Sequence, residues 1–212
     1  MQLLDAIQQR KTIKMFDKSC KIPREEMEEM LRLAQLAPSK ANLQPWRFVV
    51  VDDEQIQAQL REQVAFNGPP CGSASALVMV LADLQYETLL ESILDHSVEM
   101  GCLHANFKQN SYNFLLGVHQ QLSEQEIRDQ VITDTSLAAM QLMLVAKQHG
   151  YDTHAVGIYD KAAVLNTLQI DAERYAPVMI LAIGKAAVPP LPSARLPLEY
   201  TVSWNNGLGF KK

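Results

Sequence analysis

Apolar residues fall into two rhythms along this chain, and those rhythms assign most of its elements. Leu3, Leu4 and Ile7 share one face of a helix over residues 2–9, after which polar and apolar residues alternate through RKTIKMF and imply extended backbone. Residues 23–37 return to helical spacing. Met27, Met30, Leu31 and Ala34 make the stripe, Pro23 suits the first turn, and Glu25 and Glu26 favour the positive end of the helix dipole. FVVV at 48–51 predicts a buried strand, and Asp52-Asp53 a cap for a helix carrying Ile56, Leu60 and Val64. FNGPPCG at 66–72 reads as a turn-rich loop before the strand ALVMVLAD.

The second half continues in the same way. Residues 84–122 are helical in pattern but irregular, with Leu89, Leu90, Ile93 and Leu94 apolar. Ser123-x-x-Glu126 is a capping box that opens a long helix ending near Gly150. Within it LAAMQLMLVA at 137–146 is apolar on every side, which predicts burial all round, at the centre of the fold or against another subunit. THAVGIYD precedes a helix at 160–168 capped by Asp160, and PVMILAIG at 177–184 is the last strong strand. The tail from about 186 carries four prolines by residue 204 and predicts extended chain lying across something else. With no repeat and no interdomain linker, residues 1–212 form one expected domain of helices and strands, α/β or α+β by pattern alone.

Composition adds limits. The formal net charge of −5 excludes a general nucleic-acid binder, so any anion must be held by local clusters of Lys and Arg. Apolar runs such as ALVMVLA are too short to span a bilayer, and the N-terminus lacks the order of a signal peptide. Cys20, Cys71 and Cys102 are odd in number and never at C-x-x-C spacing, as expected of reduced thiols in a cytoplasmic protein.

Four stretches carry candidate chemistry. In RKTIK, extended backbone puts Arg10, Thr12 and Lys14 on one side, two cations flanking a hydroxyl, which suits a phosphate; a solvated charged edge is the commoner meaning of such a run. In PSKANLQPW, Asn42 and Gln44 offer the donors and acceptors that a planar heterocycle needs, while Ser39 and Asn42 equally suit a local Asx-type turn and Trp46 suits the core. Asn67 tolerates unusual backbone angles, and Cys71 beside it has no activating neighbour and reads as inert. Arg195 sits between prolines, a stiff mount for a clamp and equally an ordinary surface position. H-E-x-x-H, G-x-S-x-G, Walker and G-x-G-x-x-G motifs are absent, and His96, His104, His119, His149 and His154 show no metal spacing.

In order, these stretches resemble the FMN-dependent nitroreductase family: the N-terminal Arg-Lys-Thr-x-Lys, the Pro-Ser-x-x-Asn-x-Gln-Pro-Trp loop before a strand, the Asn-containing loop before the next, and the late Arg-Leu-Pro. The resemblance implies an α+β fold, a central mostly antiparallel sheet flanked by helices, in an intertwined homodimer with FMN at the subunit interface. It implies that Arg10, Lys11, Thr12 and Lys14 hold the phosphate end, joined by Arg195. Pro38, Ser39, Lys40 and Asn42 would reach the flavin from the partner subunit. Ala155, Val156, Gly157 and Ile158 would offer a backbone N–H. Asn67 and Lys14 would border the substrate, with Lys14 as electrostatic support. NADH or NADPH would be the donor, and nitroaromatics, quinones or related small molecules the acceptors, in a ping-pong cycle. A flavin reductase using the same site, and a non-catalytic flavin-binding or redox-sensing protein, are the alternatives. The chain departs from the family at Ile158, where a Gly is usual, at Pro69-Pro70, where Lys or Gln is frequent, and at Ser193, near a Lys found in some members. These departures bear on substrate preference more than on FMN.

Overall fold

The structure is a computed structural model that describes residues 2–211. Its elements are α1 (Leu3–Gln9), α2 (Arg24–Ala34), β1 (Trp46–Val51), α3 (Glu54–Arg61), the short α4 (Gly68–Cys71), β2 (Ala76–Asp83), α5 (Leu90–Glu99), α6 (Lys108–Gln120), α7 (Glu124–Gln148), β3 (Asp152–Val156), α8 (Lys161–Thr167) and β4 (Tyr175–Gly184). The strands form one sheet in the order β1-β2-β4-β3, antiparallel at every pairing. This is the expected α+β architecture.

β2 is buried at every residue because both of its faces are covered, which explains why its sequence is a continuous apolar run. Ala76, Val78 and Val80 face α2 and α7, packing with Met30, Ala139, Leu142 and Ala146. Leu77, Met79 and Leu81 point the other way, into a core with Phe16, Leu60, Val64 and Val164. Each fully buried Leu or Met contributes roughly 1.5–3 kcal/mol, so these two layers hold the sheet as a rigid platform.

Local signals act where the sequence places them. Asp53 accepts from the Gln55 and Ile56 amides, both at 2.9 Å, to start α3, and Asp160 accepts from Ala163 N at 3.0 Å to start α8. The Ser123–Glu126 capping box is present, and α7 stops at Gly150, whose φ of +85° favours glycine.

Three expectations change. α7 is not buried all round in the single chain: Ala138, Ala139, Leu142 and Ala146 are covered, whereas Leu137 and Met140 are exposed. FNGPPCG is no open loop; it closes into a 3-10 turn at Ala65–Asn67 and then α4, where the prolines occupy the first turn and need no amide partner. Its left-handed residue is Ala65, at φ 49°, while Asn67 has an ordinary φ of −91°. THAV, too short to show a pattern of its own, is the edge strand β3. The tail past residue 186 is exposed and irregular apart from short turns at Leu198–Tyr200 and Gly207–Gly209.

Candidate active site

Segment 10–14 runs beside β3. Ile13 N donates to Thr153 O at 3.1 Å, Thr12 bridges Thr153 in parallel fashion, and the Ile13 side chain is buried. Alternation then turns Thr12 and Lys14 outward, with Arg10 half-buried at the start of the run. Among the described residues, the side chains of Arg10, Lys11, Thr12 and Lys14 form no ion pair or hydrogen bond. Cations held on a pinned backbone without acidic partners are poised for an anion. Lys11 points away from the other two and lines a shallow cleft with Lys147, Asp152 and Ala187.

Asn67 belongs to the same cluster. It is buried, and its side-chain amide lies 3.1 Å from Nε2 of His154, whose Nδ1 lies 2.8 Å from Ile13 O. Burial first, and then the nearby Lys14 cation, push the His154 imidazole below its ordinary value; the hydrogen bond to Ile13 O opposes this only in part. β3 then leads out into Ala155, Val156, Gly157 and Ile158. Val156 turns into the core, whereas Ala155, Gly157 and Ile158 are exposed. A Cβ added at Gly157 would meet nothing within 4 Å, so a flat ligand can approach the backbone there. Ile158 borders that open face at 62% exposure.

The loop 38–44 is built differently. Ala41, Asn42 and Gln44 all take positive φ, at 49°, 58° and 48°, in the left-handed region. Ser39 Oγ accepts from Gln44 N at 3.1 Å, so that hydroxyl is committed to the turn. Lys40 N donates to Asp134 Oδ2 at 3.0 Å, and its ammonium reaches Gln130 Oε1 at 2.7 Å. Arg47 donates to Gln44 O at 2.9 Å and to the fully buried Asp83 carboxylate, which also receives Arg174. Pro38 and the Asn42 side chain remain exposed, the latter without a side-chain hydrogen bond among the described residues, and Trp46 is core.

Within one chain these two groups do not meet. The loop is docked at Asp134, and β3 begins beside Lys147, which pairs with Asp152 at 2.8 Å. Thirteen residue steps along α7 separate those anchors, about 20 Å at the rise of an α-helix. Arg195 joins neither group; its guanidinium donates to its neighbour Ala194 O at 2.9 Å. Cys71, buried, has its thiol pushed up to about 12 by desolvation and is no nucleophile. His154 is the residue that sequence reasoning missed: its partners are 141 and 87 positions away, and no spacing motif could reveal them.

The antiparallel sheet, the cationic edge beside β3 without partners among the described residues and the open glycine at its end make up the class of α+β protein with a candidate anion-binding site. Comparison with known proteins makes that particular. The nitroreductase family profile matches residues 7–185. Bacillus subtilis YdgI, provisionally named an NAD(P)H nitroreductase, is 38% identical over 95% of this chain and 96% of its own. The enone reductase of CLA biosynthesis from Lactiplantibacillus plantarum is 36% identical over 91% of this chain and 89% of its own. A solved Exiguobacterium sibiricum structure, provisionally named a nitroreductase and crystallised with FMN, superposes with a TM-score of 0.94 at 36% identity, covering 97% of this chain and 98% of that one. The chain belongs to the nitroreductase family, whose members are oxidoreductases that use FMN with NAD(P)H. Among the described residues, no helix is long and apolar enough to cross a membrane.

Proposed function

We propose that this chain is an FMN-dependent NAD(P)H oxidoreductase that works as a homodimer, each site combining the β3-side cluster of one subunit with loop 38–44 of the other. The observation that carries the reading is the set of groups Arg10, Thr12 and Lys14, without partners among the described residues and held on a backbone pinned to β3, the strand that leads out to the open Gly157. Those residues fit a phosphate at one end and a flat ring at the other. The roughly 20 Å between the two groups along α7 supports completion by a second chain. So do the apolar residues left uncovered: Leu3, Leu4 and Ile7 on α1, Leu137 and Met140 on α7, and Leu198 and Trp204 in the tail.

When bound, FMN supplies two-electron chemistry, taking hydride from NAD(P)H and passing reducing equivalents to an acceptor that follows in the same place. The chain's own residues bind and orient. Arg10 and Thr12 hold the phosphate, with Arg195 brought in from the tail. Lys14 offsets negative charge that builds on reduction, and the exposed backbone at Gly157 approaches the ring. Pro38, Ser39 and Asn42 cover the ring from the partner, while Lys40, already bonded to Gln130, supports the loop's shape. Asn67 and Ile158 border the acceptor, and Ile158, larger than the usual glycine, narrows the place it takes. The acceptors are small electron-poor molecules: nitroaromatics, quinones or, by likeness to the enone reductase, conjugated ketones.

Absorbance spectra of the purified protein before and after anaerobic NADH or NADPH test this directly. Bound flavin bleached by either nucleotide is expected. Protein that neither carries nor takes up FMN contradicts the proposal, and flavin that bleaches only over hours favours a sensor.

A further inference from the structure

His154 is 3% exposed, and both of its ring nitrogens are engaged. Ile13 O can only accept, so at 2.8 Å it requires a proton on Nδ1. A neutral ring has one proton, which leaves Nε2 bare, an acceptor. Asn67 Oδ1, drawn 3.1 Å from Nε2, is also an acceptor, and two facing acceptors repel. A half-turn of the amide costs nothing in shape and places Nδ2–H on Nε2 instead. The outer amide atom has no hydrogen-bond partner among the described residues and is not wholly closed off from solvent, which leaves it free to meet a ligand.

We infer that His154 is a positioning residue, neutral with its proton on Nδ1, that holds Asn67 with its NH2 inward and its carbonyl oxygen outward toward the ligand. The group that Asn67 recognises is therefore a hydrogen-bond donor, an N–H or O–H; Asn67 can border the oxygens of a nitro, quinone or ketone acceptor but does not hydrogen-bond them. The same ring ties Asn67 to Ile13 and so to segment 10–14, coupling the acceptor border to the phosphate end. Lys14 is the nearby charged group, and its cation favours the neutral form. The orientation follows from the two contacts of a neutral ring, the form that burial favours; only the identity of the ligand rests on the proposed flavin site.

The full chain, labelled with 15N only in histidine, tests this by long-range proton–nitrogen correlation near pH 7.5, the His154 signals being assigned by their loss in His154→Gln. The expected pattern is a neutral ring protonated at Nδ1; an Nε2–H tautomer or a doubly protonated ring overturns the inference. Asn67→Asp puts an acceptor-only carboxylate opposite Nε2, so His154 should become doubly protonated at the same pH while the other four histidines keep their signals. No change at His154 overturns the coupling. In FMN titrations, His154→Leu should weaken binding about tenfold, as for one lost buried hydrogen bond, and His154→Gln, able to donate and accept, should recover most of it. Equal losses overturn the positioning role. If the natural chain takes up no FMN, the flavin proposal fails while the tautomer and the Asn67→Asp result still decide this one.

Discussion

The two polar regions of this molecule contain similar residues and use them in opposite ways. In loop 38–44 nearly every polar group is committed to the loop itself: Ser39 to Gln44 N, Lys40 to Asp134 and Gln130, Gln44 O to Arg47. In segment 10–14 the backbone and a buried histidine do the anchoring, and the side chains of Arg10, Thr12 and Lys14 stay unspent. A loop that holds three left-handed residues needs its side chains for shape and presents mainly Asn42; a segment laid on a sheet edge can present all of its outward side chains. Function is therefore concentrated beside β3, and the loop contributes a cover.

Substitutions on the two sides separate these roles. The largest effect falls on the loop's anchor. Asp83→Ala removes the buried carboxylate that holds Arg47 and Arg174, and denaturant unfolding should show a loss of about 3 kcal/mol, within the range for a broken buried pair. Arg10→Ala should do the reverse, leaving unfolding unchanged because the side chain has no hydrogen-bond or ionic partner among the described residues, while weakening FMN about 10- to 100-fold, the worth of a charge-assisted contact of roughly 1.5–3 kcal/mol. A destabilised Arg10→Ala protein would show that the arginine serves the fold. Gly157→Ala, a methyl in open space, should likewise spare stability and weaken FMN by calorimetric titration. Asn42→Gly keeps the positive φ and removes the amide, so only a few-fold loss of FMN affinity is expected.

The smallest effect is on pH dependence and belongs to the β3 side. The folded protein holds His154 below its ordinary value near 6.5, so the unfolded chain takes up the proton first. The His154 contribution is fully present above about pH 6.5 and is lost as pH falls from there through the folded value. Thermal midpoints measured between pH 7.5 and 5 should fall less in His154→Gln than in the natural chain; equal slopes would show that His154 is not held neutral.

Most of the framework was legible because it is written in local rhythm: β1, β2 and β4 as apolar runs, α2 as a stripe, α3, α7 and α8 by their caps. β3 was not, since THAV is short and owes its strand state to pairing with β4 and to the Thr12 bridge. The capacity of Arg10, Thr12 and Lys14 was legible from alternation, but their lack of partners was not. Lys40 could be read as a ligand contact only because Asp134, 94 residues away, carries no local sign of docking it. Asn67 was singled out for backbone freedom it does not use, and its long-range contact with His154 gives it a different role.

The central claim, that loop 38–44 completes the partner's site, is tested most directly by FMN titration of a heterodimer purified from co-expressed Arg10→Ala and Asn42→Gly chains with different tags. If the loop acts across the interface, one site carries both changes and the other carries neither. Half of the sites should then bind with the natural affinity. If the loop serves its own chain, every site carries one change, and no natural-affinity class would appear.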